Sequence, residues 1–182
     1  MMPFDYENGF YQTASPHRIA KFLAHYELFK ISSGIPGIIV ECGVFKGCSL
    51  LRFAAFRRLL GLEQERCLVA FDMFGKFPAD TVAQDDQAAL DKFLAEAGDE
   101  GVNISELMDI LARAGNYQNI TLMPGDVLET VPEFCEANQS AYISMLNVDV
   151  DLYEPTQVVL EYLYPLVMPG GVVLLDDYKA MK

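Results

Sequence analysis

Two hydrophobic rhythms alternate along the chain. Short, almost uninterrupted apolar runs carry β-branched residues and have strand length: IIVEC (38–42), RCLVAFD (66–72), NITLM (119–123), YISMLNVDV (142–150) and VVLLDD (172–177). Between them lie helical stretches. In SPHRIAKFLAHYELFKI, Ser15 is placed to cap and Pro16 to open a helix. Ile19, Phe22, Leu23, Tyr26 and Phe29 predict its single apolar face. Further helices are expected from about Gly47 to Leu60 and from the Thr81–Gln84 capping box to Gly98. Others are expected from Asn103 to Gly115, from the Thr130–Glu133 box onward, and from Pro155 to Tyr164. A PGG turn at 169–171 is expected to lead into the last strand.

Strand–helix–strand order repeated with apolar strands predicts an α/β fold, a mainly parallel sheet with helices on both faces. Its ligand belongs outside the carboxyl ends of the strands. The chain divides into an aromatic lead segment with a first helix (1–36) and a sheet domain (37–182).

Composition narrows the partners. At 182 residues one domain is expected, burying roughly 70% of its unfolded surface. A net charge of −13 with only 13 basic residues argues against nucleic acid, because neutralising phosphates takes clustered Lys and Arg. No apolar run approaches the ~20 residues of a membrane span, and no signal peptide is visible, so a cytoplasmic protein is expected. The four cysteines are scattered without a CxxC pair and read as buried free thiols. His17 and His25 lie on the first helix and read as structural or exposed.

The strand ends carry the chemistry. Strand one ends in Glu41-Cys42-Gly43, with Gly47 at the next helix start, a spacing suited to a nucleotide-type ligand approaching the backbone. Asp72 ends strand two at the position where a carboxylate meets ribose hydroxyls, and Asp126 follows strand three within reach of an adenine amino group. Asp149 and Asp151 follow strand four; Asp176 and Asp177 follow strand five. Adjacent strands would bring these carboxylates together, and a hard cation, Mg²⁺ or Ca²⁺, would relieve their repulsion. An NAD-dependent oxidoreductase is the weaker reading, since GxGxxG is absent and the aspartates go unexplained.

VECGVFKG, FDMFGKFP and LNVDVDLYEPTQVVLEYLYPLVMPGGVVLLDDY resemble the macrocin O-methyltransferase family, and the lead segment ENGFY…HRIAKFLAHYELFK resembles deoxyhexose-directed members. The resemblance covers almost the whole chain. It implies a Rossmann-like class I methyltransferase fold and S-adenosylmethionine- and divalent-metal-dependent methylation of a sugar hydroxyl in natural-product pathways. By the same resemblance Glu41, Gly43, Gly47, Asp72 and Asp126 line the cofactor pocket. Asp149, Asp176 and Asp177 hold the cation, with Mg²⁺ expected, and Asp151 is the general base. The family pattern continues past DDY, so a C-terminally truncated sheet lacking its usual last strands is expected. A small-molecule sugar acceptor and a homodimer are the expected partners. A non-catalytic, methyltransferase-fold scaffold is the alternative.

Overall fold

The computed structural model describes residues 3–76, 91, 94, 95, 98–116 and 118–176. The Thr81–Gln84 capping box, most of the helix expected after it, and Asp177 fall outside them. Five strands form one parallel sheet: β1 (Ile38–Cys42), β2 (Leu68–Asp72), β3 (Ile120–Pro124), β4 (Ile143–Val148) and β5 (Val167–Leu175). The order is β3-β2-β1-β4-β5. Chain direction through the sheet therefore reverses beside β1, and the gap between the exits of β1 and β4 is the topological switch point. The expected α/β architecture is present.

Alternation along β1 divides the core. Ile39 joins a layer under α2 (Pro16–Ser33), α3 (Cys48–Leu59) and α4 (Ile104–Arg113), while Val40 and Cys42 face α5 (Val127–Ala137) and α6 (Tyr153–Leu163). Both sheet faces are covered, which is why the strands read as unbroken apolar runs. Phe29, Phe53 and Phe56 fill the first layer; Phe71 and Phe134 meet edge to face in the second.

Two arginines close the amino-terminal side of the sheet. Arg57 is fully buried and donates to the carbonyls of Arg66 and Asn119, each at 2.7 Å, and to that of Gln118. Arg66 donates to the carbonyls of Ser33, Ile35 and Gly37. These donors satisfy loop carbonyls where strands begin.

Several local expectations are corrected. The aromatic lead is a helix, α1 (Pro3–Thr13), with Phe4, Tyr6, Phe10 and Tyr11 exposed. On α2 the expected Phe29 is buried and Tyr26 packs against the core, but His25 and Ser32 are buried with them, while Phe22 lies at the margin and Leu23 is 55% exposed. This helix packs on β4, β5 and α3, with His25 and Phe29 stacked on Phe53. Helix α5 begins at Val127 rather than Thr130, because Asp126 caps it by accepting from Leu128 N at 2.9 Å. The PGG segment lies inside β5 as an irregularity: Ile143 pairs with Val167 but Met145 with Val172, and Gly170 takes φ +86. Cys42 is buried, but Cys48 is exposed on the first turn of α3, and Cys67 and Cys135 are half-buried. Asn103 caps α4 as expected, accepting from Glu106 N at 2.9 Å. No helix among the described residues is long and apolar enough to cross a membrane.

The switch point depends on one glycine. A Cβ on Gly43 (φ +90) would stand 1.7 Å from the Asp149 carbonyl oxygen, whose backbone also donates from Asp149 N to Cys42 O at 2.9 Å. Gly43→Ala is therefore expected to lower stability by about 3 kcal/mol or more. Gly9→Ala, on exposed α1 with nothing within 4 Å, should be neutral or gain up to about 1 kcal/mol. Thermal melts followed by circular dichroism check both.

Candidate functional site

At the carboxyl ends of β1–β4 lies a half-open cleft. Gly43, Asp72, Asp126, Asp149 and Asp151 line it, so most residues singled out from the sequence converge there. Phe45, Phe71, Met73, Val150 and Leu152 add apolar walls, and Gly75, Gly101 and Gly125 leave room along the backbone. Apolar walls with a few convergent polar groups are the usual make-up of a small-molecule site.

Asp72 is engaged with the protein itself. Its Oδ2 accepts from Val44 N (2.7 Å) and Phe45 N (2.9 Å), and its Oδ1 from Phe74 N (2.7 Å). The carboxylate thus ties the exit of β1 to the exit of β2 and leaves only its remaining lone pairs for a ligand. Phe45 (φ 49) and Phe74 (φ 50) are left-handed, as is Asp151 (φ 60) at the exit of β4. Such conformations cost of order 1–3 kcal/mol each in non-glycine residues and collect where surrounding structure enforces them. Here all three border the cleft or its lip. The loop before α4 is zipped on by Val102 N to Phe45 O (2.7 Å) and Gly101 N to Gly75 O (2.8 Å).

Two sequence-derived candidates lie beneath the cleft rather than on its wall. Gly47 (φ +83) is buried at the start of α3, with its Cβ position 3.1 Å from Leu107 Cδ1. Glu41 is completely buried. Its Oε1 accepts from Asn147 Nδ2 at 3.2 Å, while Oε2 has no hydrogen-bond partner. Burial pushes its carboxyl up to about 8; Asn147 and the nearby Ser49 hydroxyl pull the other way, and the Asp72 charge reinforces the rise.

β-Strand alternation sets the second cluster. In the β4–β5 register Met145 pairs with Val172 and Asn147 with Leu174, so Asp149 and Asp176 continue the same face, over which α2 lies. Lys21 of α2 reaches both: its Nζ is 2.5 Å from Asp176 Oδ2 and 3.8 Å from Asp149 Oδ2. Among the described residues no group of three His, Cys, Asp or Glu side chains is arranged to hold a metal; Asp177 lies outside them. Two hard-oxygen donors reachable by one cation still suit a hydrated Mg²⁺, which commonly takes one or two carboxylates. Nothing local in the sequence signals Lys21, because it lies 155 residues before Asp176. Phe45 lay within the quoted VECGVFKG motif; Gly101 carried no signal.

His25, one turn after Lys21, stacks on Phe53 at 5.2 Å with both ring nitrogens unpartnered. Burial, helped by the charges of Arg52 and Lys21, pushes its imidazole down to about 4, against the pull of Asp176. It is a neutral packing residue at physiological pH, in line with the structural reading.

Known proteins share this fold. Residues 15–182 match the model of the macrocin-O-methyltransferase (TylF) family. The chain is 31% identical over 152 residues to the 8-demethyl-8-(2,3-dimethoxy-alpha-L-rhamnosyl)-tetracenomycin-C 4'-O-methyltransferase of Streptomyces olivaceus. It is 29% identical to the demethyldecarbamoylnovobiocin O-methyltransferase of Streptomyces niveus. Each alignment covers 81% of this chain and 55% of the relative, so the chain spans about half the length of these proteins. The crystal structure of CalS11, a calicheamicin methyltransferase, superposes with a TM-score of 0.77 at 29% identity, covering 95% of this chain and 70% of that one. The O-methyltransferase NovP shares the fold, with a TM-score of 0.73 at 23% identity over 87% of this chain and 65% of its own.

Asp72→Asn keeps the shape but replaces a charged acceptor of three N–H groups, and should cost about 2 kcal/mol of stability in chemical denaturation. Glu41 yields a pH signature. Its proton is lost near 4.5 in the unfolded chain but near 8 in the fold. Native stability from this residue is thus full below pH 4.5 and declines as pH rises toward 8, by an amount on the order of a few kcal/mol. Glu41→Gln should abolish that decline, visible as a flatter melting temperature between pH 5 and 8; an unchanged slope would show that Glu41 ionises normally.

Proposed function

The chain belongs to the macrocin O-methyltransferase family, and from that premise we propose that it methylates a sugar hydroxyl, on a deoxyhexose or nucleotide-linked deoxysugar, using S-adenosylmethionine and a divalent cation such as Mg²⁺. The setting is natural-product biosynthesis in the cytoplasm, and the working form is a homodimer. One observation carries the reading: the switch-point cleft is walled by apolar side chains and bordered on its β4 side by Asp149 and Asp151, with Asp176 beside Asp149.

When bound, S-adenosylmethionine supplies an activated methyl group and the cation acidifies and orients the hydroxyl it touches. The chain's own residues do the remainder. Asp149 and Asp176, and by the family resemblance Asp177, would hold the cation. Asp151 would accept the hydroxyl proton as the new C–O bond forms and the methyl–sulfur bond breaks, with S-adenosylhomocysteine as the leaving group; its left-handed backbone (φ 60) stands at the exit of β4. Gly43 and the Asp72-braced turn keep the β1 exit open against the cofactor, while Asp126 stands at the far end of the cleft, already anchored as a helix cap. Phe45, Phe71 and Leu152 exclude water, and the alignment they enforce supplies much of the rate.

A second reading, a non-catalytic scaffold of the same fold, is favoured by the Lys21–Asp176 ion pair, which offsets one of the two negative charges without a metal. Titration calorimetry with S-adenosylhomocysteine, with Mg²⁺ and with chelator, separates the cases. Micromolar affinity is expected, about −8 kcal/mol. Asp151→Asn should retain that affinity and lose about 10²–10⁴-fold in methyl transfer to a panel of deoxysugars. Binding without turnover in the native chain favours the scaffold; a folded sample with no heat removes the cofactor assignment.

A further inference from the structure

The pairing of Lys21 with Asp149 and Asp176 carries one more inference, which rests on reading those carboxylates as the cation site. The ammonium comes from α2, and its contact atoms are the Oδ2 of both aspartates. The three side chains are only 22–26% accessible, so the cluster is shielded on most sides. An ammonium 2.5 Å from Asp176 Oδ2 fills the space in which a Mg²⁺ would sit at about 2.0–2.1 Å from the same oxygen. Two cations at that separation repel strongly in a partly desolvated site. A divalent cation on this oxygen would therefore compete with Lys21.

We propose that Lys21 is the site's built-in counter-cation. Without metal it pairs with Asp176, lies close to Asp149 and offsets half of their combined charge. A divalent cation loads only by displacing it, so Lys21 sets the threshold concentration for loading and couples that event to α2. The arrangement solves a folding problem that the sequence poses: two carboxylates on one sheet face destabilise the metal-free chain unless a positive group meets them. It also makes the metal-bound state dependent on where the Lys21 side chain goes.

Mn²⁺ binding, read as loss of the free-ion electron paramagnetic resonance signal, tests this without any turnover. The samples are the native chain, Lys21→Met and Lys21→Arg, each with a thermal melt. Lys21→Met should bind Mn²⁺ about ten-fold more tightly, the factor that corresponds to 1.4 kcal/mol, and should melt lower than the native chain without metal and recover when metal is added. Lys21→Arg, which restores the charge, should bind close to the native level. Measurable native binding that is unchanged or weakened in Lys21→Met overturns the role of Lys21 while leaving the cation site standing. If both folded proteins fail to bind Mn²⁺ at millimolar concentration, the cation reading fails and this inference fails with it.

Discussion

The carboxylate of Asp72 accepts backbone N–H groups from Val44, Phe45 and Phe74, and through these three bonds the exits of β1 and β2 become one rigid rim. Two of the donors, Phe45 and Phe74, adopt left-handed conformations that phenylalanine does not choose by itself. Charge-assisted hydrogen bonds, each worth about 1.5–3 kcal/mol, are large enough to offset that strain. The site is therefore pre-formed: the wall opposite Asp149 and Asp151 is held in place before any ligand arrives. Gly43 completes the constraint, because only a residue without Cβ lets the β4 exit come so close to the turn.

The two ends of the sheet divide the charges between them. At the amino-terminal side Arg57 and Arg66 are spent on main-chain carbonyls. At the carboxyl side acids gather, and the cation that meets them is Lys21, on a helix distant in sequence. The buried Glu41–Asn147 pair sits between these regimes on the same sheet face as Asp149. An acid kept largely neutral under the turn after β1 adds polarity to the core without adding another negative charge to the cluster above it.

Helix α2 shows how tertiary context overrides a periodic pattern. Of its predicted apolar face, Phe29 is buried and Tyr26 packs against the core, but Phe22 and Leu23 are exposed, and His25 and Ser32 are buried beside Phe29. The same helix carries Lys21 to the aspartates beyond β4 and β5. Tyr26 and Phe22 still contribute by meeting Phe56 edge to face at 5.1 and 5.5 Å.

The sequence alone determined the strands, their parallel order of use, and the gathering of Gly43, Asp72, Asp126, Asp149 and Asp151 at one edge. Strands buried on both faces must be continuous apolar runs, and parallel crossovers leave every carboxyl end on the same side. Asn103 was legible as a cap because its partner, Glu106 N, is three residues away. Only the tertiary structure decided what each acid does. Asp72 is occupied by loop N–H groups, Asp126 by the first turn of α5, Glu41 by the core, and Asp176 by a lysine 155 residues distant. A carboxylate's residue type fixes its charge and its lone pairs, but which donors reach it depends on loop dihedrals and on helix placement, and neither is written in local spacing.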